Sequence, residues 1–336
     1  MWILYALLSN LAFTVQDLVA YRYTSAKALN SFAVGAGFHL WVAAFAPILY
    51  FIYKFYDPKT PNLILGAYDT AKQAGLLLSL YALLLFGANG LLYYAYDIGA
   101  RNSNINPGIT ASLSNVSLII SSLLPVIFFQ AQLTMSNILG IVIYFIGGWF
   151  LTRPKRNNAS PKRAKPISDK DVDGYQWWKW LFLAVGSGLL YGLAAFCGFL
   201  ITKRTRTSAG SSIFQSYALY VTQGIISLML ALVIVFDPSI QNTGILKNYS
   251  FDLYNIFSSP AVGLPILLGG FGGAAGIAAL YRSYAKAPNP GFSDAISNLY
   301  VASTAIASWI LYDTPLSSEQ MVGMVLSGVS ISLLST

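Results

Sequence analysis

The sequence has very few charged residues and almost none of the side chains that build metal centres. Charged residues make up 10% of the 336 positions and hydrophobic residues 56%, with a mean hydropathy of +0.59. A soluble protein surface cannot be made from this composition. The single cysteine excludes an internal disulfide, and one cysteine with one histidine cannot form a Cys/His zinc cluster. We therefore expect neither a cofactor nor enzymatic activity.

Long apolar runs occupy most of the chain. Each has roughly the 20 residues needed to cross a bilayer, and the runs are continuous, which favours helices over barrel strands. The first run has no basic n-region and no cleavage site, so we predict a first span and not a removable signal peptide. The predicted spans are Trp2–Tyr21, Phe32–Tyr53, Ala74–Tyr96, Pro107–Phe129, Ser136–Thr152, Trp180–Ile201, Ser212–Phe236, Gly263–Tyr284, Pro290–Tyr312 and Ser318–Leu334. The sequence thus predicts an all-α, multi-pass integral membrane protein of the plasma membrane or an organelle membrane.

The net charge of +8 comes largely from one basic stretch. Seven lysines and arginines lie between Arg153 and Lys170, among prolines and without an aromatic residue that could stack on a base. This pattern favours a solvated linker at the lipid surface, and not a nucleic-acid site. The linker, residues 153–179, separates a first unit, 1–152, from a second, 180–336. The positive-inside rule places this linker in the cytoplasm, although a lumenal linker stays open.

The two units carry an internal repeat. The segment GANGLLYYAYDIGARNSNINPGITASLSN, from Gly87, is echoed by GAAGIAALYRSYAKAPNPGFSDAISN, from Gly273. In each copy Asn-Pro-Gly opens an apolar segment, with asparagine suited to cap the helix and proline to its first position. Five predicted spans precede the linker, so the second copy enters the membrane from the opposite face. The sequence therefore predicts about ten transmembrane helices as two inverted five-helix repeats, an arrangement typical of secondary transporters.

Polar residues inside the spans are the candidate substrate contacts. An ionised side chain at the centre of a membrane helix costs about 2.5–3.5 kcal/mol, so such residues face the interior or a wet cavity. Asn115 and Asn298 stand at equivalent places in the repeat, where they either face the pathway or bond neighbouring helices. Arg282 and Asp294 lie on either side of a short turn, and we expect them to pair. The predicted substrate-binding residues are Asp17, Tyr93, Asn115, Arg282, Asp294 and Asn298.

Three further residues are candidates for coupling or gating. His39 lies within the second span, Asp97 at the end of the third, and Lys286 near the turn after the eighth. Each has a structural alternative: His39 as a hydrogen-bonded core residue and Asp97 as a solvated helix end. We expect a coupling proton or a counter-substrate as a further partner.

Four glycines in the eighth span form two overlapping GxxxG spacings, Gly269 with Gly273 and Gly272 with Gly276. They lie inside an apolar segment with no Gly-Lys-Ser/Thr after them, which argues against a phosphate-binding loop. The spacing predicts close helix contact.

The repeat resembles the drug/metabolite transporter superfamily, EamA-like branch. The resemblance lies in NPGITASLSNVSLIISSLLPVIFFQAQLTMSNILGIVIYFIGGWFL and NPGFSDAISNLYVASTAIASWILYDTPLSSEQMVGMVLSGVSISLL. The Gly-Glu that this family often carries before the last helix of each unit is absent from both copies. The resemblance implies a central cavity between two halves, alternating access, and both termini in the cytoplasm, opposite to the orientation that the basic linker favours.

These observations predict a secondary transporter that moves a small polar metabolite: an amino acid, nucleoside, sugar or related organic ion. Two alternatives stay open. One is a membrane-embedded enzyme acting on a lipid-linked group, for which Arg282 with Asp294 would be the reactive cluster. The other is a channel or a receptor without carrier activity.

Overall fold

The computed structural model describes residues 2–26, 29–56, 62–103, 105–129, 134–151, 174–205, 211–241, 244–284 and 296–334, and within these ranges every regular element is helical. The first unit contains α1 Trp2–Tyr21, α2 Ser31–Tyr56, α3 Leu63–Ser103, α4 Pro107–Ser114, α5 Val116–Phe129 and α6 Met135–Leu151. The second contains α7 Gly174–Thr205, α8 Ser211–Phe236, α9 Pro238–Gln241, α10 Tyr249–Ser258, α11 Pro260–Tyr284, α12 Tyr300–Tyr312 and α13 Ser318–Leu334. A π-helical turn, Arg22–Ala26, continues α1.

Six segments are long and apolar enough to cross a membrane, so the chain is a multi-pass integral membrane protein. They are Trp2–Ser25, Ser31–Ile48, Leu63–Arg101, Gln176–Thr205, Ile213–Phe236 and Pro260–Ser283. Shorter apolar helices occupy Met135–Leu151 and Ile296–Tyr312. Large apolar side chains such as Phe55, Leu76 and Phe236 are more than three-quarters exposed, as expected where lipid is the solvent.

Most predicted spans coincide with helices, and the differences have local causes. α3 begins at Leu63 and not at Ala74, where the backbone leaves the helical region (φ −133°, ψ 20°) and kinks the helix. α7 begins at Gly174, inside the predicted linker; residues 153–173 of that linker lie outside the described residues. α10 was not predicted, because it is too short to form an apolar run of membrane length.

The predicted fourth span, Pro107–Phe129, is interrupted at Asn115, where α4 ends and α5 begins. Asn115 N–H bonds to Ser112 O at 3.2 Å, and α5 restarts with Leu118 N–H bonding to Asn115 O at 2.9 Å. The Tyr144 hydroxyl donates to the carbonyls of Ser112 and Leu113, at 3.0 and 2.9 Å. An interruption of a membrane helix is tolerated where such a side chain satisfies the freed carbonyls.

A similar interruption occurs at Leu299, in the second copy of the repeat. The helical residues 296–298 end there and α12 begins at Tyr300. The Asn10 amide approaches the carbonyls of Ile296 and Ser297 at 3.4 and 3.5 Å. Both copies therefore break their helix close to the repeated Ser-Asn pair.

The Asn-Pro-Gly prediction is confirmed for the first copy. Asn106 caps α4, with its Oδ1 accepting the Gly108 N–H at 2.8 Å. Its amide donates across to Ala305 O and Thr314 O, at 3.0 and 2.8 Å, which joins α4 to the second unit. The counterpart Asn289 lies outside the described residues.

Close helix contact by the glycines of α11 is also confirmed. A Cβ added at Gly272 would lie 2.6 Å from Ala12 O, and one at Gly276 would lie 2.7 Å from the Phe13 ring. The Ser283 hydroxyl donates to Trp2 O at 3.0 Å, so α1 and α11 run antiparallel along their length.

Helices of the two units pack against each other along most of the molecule. α1 contacts α11 and α12, while α3 contacts α7 and α8. α7 also packs on α4 and α5, and α2 packs on α8 and α11. α4 meets α12, and α6 meets α13, where the Ser330 hydroxyl donates to Gly140 O at 2.7 Å.

Candidate functional site

A cavity of about 160 Å³ lies between the two units. Liquid water takes about 30 Å³ per molecule, so this space holds several waters or a small polar ligand. Its walls come from α1, α2, α3, α4, α5, α7, α8, α11 and α12, and include both helix breaks. Five of the predicted residues line it: Asp17, His39, Tyr93, Asn115 and Asn298.

Of the other four predicted residues, the two that the structure describes, Arg282 and Asp97, do not line the cavity. Arg282 lies with its guanidinium carbon 6.0 Å from the centre of the Tyr5 ring. Asp97 pairs with Arg101 one turn further along α3. Asp294 and Lys286 lie outside the described residues, so the expected pairing of Asp294 with Arg282 stays a prediction.

One end of the cavity is closed beside Asp17. The Tyr96 hydroxyl donates to Asp17 Oδ2 at 2.8 Å, and the Gln16 amide donates to the Tyr93 hydroxyl at 3.2 Å. The rings of Tyr93 and Tyr96 stack with centroids 6.0 Å apart. Asp17 is thus a buried carboxylate held by a tyrosine.

Beyond Asp17 the closure continues as an aromatic cluster between the two units. The Tyr21 ring lies 6.1 Å from the Tyr96 ring and 5.5 Å from the Tyr312 ring. The Tyr312 hydroxyl donates to Leu18 O at 3.1 Å, and the Arg22 guanidinium carbon lies 5.8 Å from the Tyr312 ring centroid. We call Tyr21, Tyr96 and Tyr312 the tyrosine closure.

At the opposite end the cavity is lined by Tyr81 and Tyr281, whose side chains both approach Gly198. Its walls run along α5 to Ser121, along α7 to Gly198 and along α11 to Tyr281. These positions lie toward the face at which α1 begins, because the end of α11 meets Trp2. The cavity therefore extends from the tyrosine closure toward the N-terminal face.

His39 belongs to a hydrogen-bonded chain that crosses four helices. Asn89 Nδ2 lies 2.9 Å from His39 Nε2, and His39 Nδ1 lies 3.0 Å from the Ser227 hydroxyl. The Tyr191 hydroxyl donates to Asn89 Oδ1. Since the Asn89 amide nitrogen can only donate, His39 accepts at Nε2 and carries its proton at Nδ1. The His39 imidazole therefore links α2 to α3 and α8, and the hydroxyl of Tyr191 extends the hydrogen-bonded chain to α7.

Two carboxamides on the cavity wall have polar atoms without a hydrogen-bond partner. They are both amide atoms of Gln223 and the Nδ2 of Asn115. Each side chain is only 1% exposed. Buried polar atoms are normally paired, so these three atoms are available to bond a ligand or water in the cavity.

Several lining residues were not among the predicted site residues. Ser297 could have been found, because it repeats Ser114 beside the paired asparagines, and Gln223 because an amide within an apolar span is unusual. Gly273 lines the wall where α11 meets Gln16, and Tyr81 is one of 22 tyrosines that nothing local distinguishes.

The lining offers hydrogen-bonding groups and aromatic rings. Within the described ranges no cluster of three metal-ligating side chains occurs. The carboxylate of Asp17 is bonded to Tyr96, and His39 is bonded at both ring nitrogens. Amides, hydroxyls and tyrosine rings remain, and these orient a small polar molecule by hydrogen bonds and ring contacts.

Comparison with known proteins shows a likeness of fold. No protein-family model matches the chain, and no curated protein matches it. A solved structure titled "Crystal structure of protein" is similar over 97% of this chain and 95% of its own length, with a TM-score of 0.52 at 11% sequence identity. At that identity the likeness concerns the fold alone, and it extends over almost the whole of both chains.

Proposed function

We propose that this protein is a secondary transporter that moves a small polar metabolite by alternating access through the central cavity. The observation that carries the proposal is the cavity itself. It lies between the two units, is lined by interior polar side chains from both, and touches a broken helix in each. Substrate sites at the midplane between repeats, next to interrupted helices, are typical of secondary transporters.

The helix contacts support two inverted five-helix repeats. The helices of the two units can be matched in chain order: α1 with α7, α2 with α8, α3 with α11, α4–α5 with α12, and α6 with α13. With this matching, most contacts between the units recur between the corresponding helices. α1 on α11 corresponds to α7 on α3, and α2 on α11 corresponds to α8 on α3. α1 on α12 corresponds to α7 on α4 and α5, while α6 on α13 corresponds to itself. This twofold pattern also favours ten membrane crossings and the resemblance to drug/metabolite transporters.

The tyrosine closure supports alternating access. In a carrier, one end of the pathway is sealed while the other admits the substrate. The closure consists of side chains from both units, so a rocking of one unit against the other separates them. Asp17 lies at its inner edge, where a cationic group or a coupling proton would compete for the bond that Tyr96 donates.

Counterflow in proteoliposomes tests this function. Vesicles with purified protein are loaded in turn with unlabelled amino acids, nucleobases and nucleosides, sugars or organic acids, and a radiolabelled member of the same class is added outside. A carrier gives a transient accumulation of label that saturates with concentration. Linear, unsaturable flux would indicate a channel, and no flux from any class, with the protein shown to be folded, would contradict the proposal.

A matched pair of variants sharpens the experiment. Gly273→Val places a side chain on the cavity wall, where even a Cβ would lie 2.8 Å from Gln16 Oε1. Gly148→Val adds the same side chain to α6, where an added Cβ meets no atom within 4 Å. We expect Gly273→Val to abolish counterflow and Gly148→Val to retain it.

A further inference from the structure

The carboxamide of Gln223 is a vacant pair of hydrogen-bonding groups on the cavity wall. It lies in the middle of α8, and both its donor and its acceptor are without a partner. Leaving such a group unpaired destabilises a folded protein. A polar ligand that bonds both atoms of the Gln223 amide would remove this cost.

Asn115 offers a second vacant donor in the same cavity. Its Nδ2 is unpartnered at the break between α4 and α5. Asn89 provides the contrast, because it lines the same cavity but its amide already bonds His39 and Tyr191. Among the lining carboxamides, the unpartnered atoms are therefore the two amide atoms of Gln223 and the Nδ2 of Asn115.

Aromatic rings form part of the remaining wall, and the described lining contains no cationic side chain. Tyrosine rings line it on α3, α7, α11 and α12, together with Phe13 of α1. Among the described lining residues there is no lysine or arginine, and the one carboxylate, Asp17, is bonded to Tyr96. A phosphate or carboxylate group would lose its hydration there without gaining a counter-charge.

We infer, building on the proposed transport function, that the substrate is an uncharged nitrogen heterocycle of the nucleobase type. Such a ring presents a donor and an acceptor side by side, which a glutamine amide matches with two parallel hydrogen bonds. Gln223 makes that pair, and the Asn115 amide donates to a second acceptor of the ring. The tyrosine rings stack on its faces, as aromatic side chains do with bases in general.

Binding measurements with purified protein test the inference, with tritiated adenine and uracil as probes. We expect saturable binding of at least one of them. N6,N6-dimethyladenine, which lacks the exocyclic donor, should bind at least about tenfold more weakly than adenine, because a site built to bond a donor rejects the analogue without it. Adenosine monophosphate should show no binding.

Two glutamines of α8 provide a matched pair of variants. Gln223→Leu removes the vacant amide, so affinity should fall roughly tenfold to hundredfold while the unfolding midpoint without ligand stays equal or rises. Gln215→Leu removes an amide that already donates to Thr205 Oγ1 at 2.6 Å and does not line the cavity. Its midpoint should fall while its affinity for the probe is kept.

The outcomes separate this inference from the transport function. Failure of both nucleobases to bind, or unchanged affinity in Gln223→Leu, overturns the inference. If another solute class then shows counterflow, the transporter proposal stands without it. If a nucleobase binds through Gln223 but no solute shows counterflow, the ligand assignment holds and the transporter proposal falls.

Discussion

Gly108 allows the two units to meet at α4 and α12, and adding one methyl group there should force them apart. A Cβ on Gly108 would lie 2.3 Å from the Cβ of Ala305. Carbon atoms pack at about 3.5–4.0 Å, so the helices must separate by about 1.2 Å or more. Overpacking of this kind costs about 1–3 kcal/mol. It also stretches the bond from Asn106 to Ala305 O.

Gly148→Ala is the control for Gly108→Ala. A Cβ at Gly148 meets nothing within 4 Å, so this variant should gain roughly 0.5–1 kcal/mol from the better helix former. The free energies of unfolding of the two variants should then differ by about 1.5–4 kcal/mol. The measurement is an SDS titration in mixed micelles, followed by circular dichroism.

Adding Ala305→Gly to Gly108→Ala makes the test more specific. The double variant removes the Cβ contact but keeps the Cα and N of Ala305, which lie 2.5 and 2.6 Å from the added methyl. It should therefore recover only part of the lost stability. Equal unfolding midpoints for Gly108→Ala and Gly148→Ala would refute the contact between α4 and α12.

Three further predictions concern polar groups. Asn106→Ala should lower the free energy of unfolding by about 2 kcal/mol, because it removes a helix cap and two bonds to the other unit. Asn106→Asp keeps the cap but sets a buried carboxylate oxygen against two carbonyl oxygens, so it should lose at least as much, and thermal unfolding compares the two variants. Burial raises the pKa of Asp252 in α10, against the lowering effect of the N–H that Asn30 donates. The folded protein thus binds a proton at Asp252 more readily than the unfolded chain, so the contribution of Asp252 to stability improves as the pH falls from neutral. Asp252→Asn should flatten that part of the profile of unfolding free energy against pH. An unchanged profile would contradict this. Ser227→Ala should cost about 0.6–1 kcal/mol by freeing the Nδ1 proton of His39, and a variant as stable as the wild type would exclude that bond.

Most helix positions could be predicted from the sequence, because membrane-length apolar runs are set by the bilayer and by little else. α13 begins and ends where hydropathy places it, and Asn106 caps α4 as the Asn-Pro-Gly motif predicts. The break at Asn115 could not be predicted, since it depends on Tyr144, which approaches from another helix. Tertiary bonds of this kind leave no local pattern.

The candidate site was only partly predictable for a similar reason. Asp17 and Asn115 stood out in the sequence because polar groups are rare inside apolar spans and need a partner or water there, and both line the cavity. Rarity could not show that Arg282 lies against Tyr5 and away from the cavity, since that depends on which face of α11 meets α1. The glycines of α11 allow one face of this helix to pack closely on α1, and this packing sets which side chains of α11 point toward the cavity.

Distances between spin labels at the two ends of the molecule test alternating access most directly. In a Cys197→Ala background, one pair of cysteines replaces Arg101 and Lys247, beyond the tyrosine closure, and another replaces Lys54 and Lys203, at the opposite face. All four positions are exposed, and each pair joins the first unit to the second. The pairs are measured in nanodiscs by double electron–electron resonance.

The same distances are measured again with Tyr96→Phe, which removes the bond that holds Asp17 in the closure. Alternating access predicts that the Arg101–Lys247 distance shifts to longer values while the Lys54–Lys203 distance becomes shorter. Distances that stay fixed at both ends, or that lengthen together, would contradict a carrier built from two rocking units.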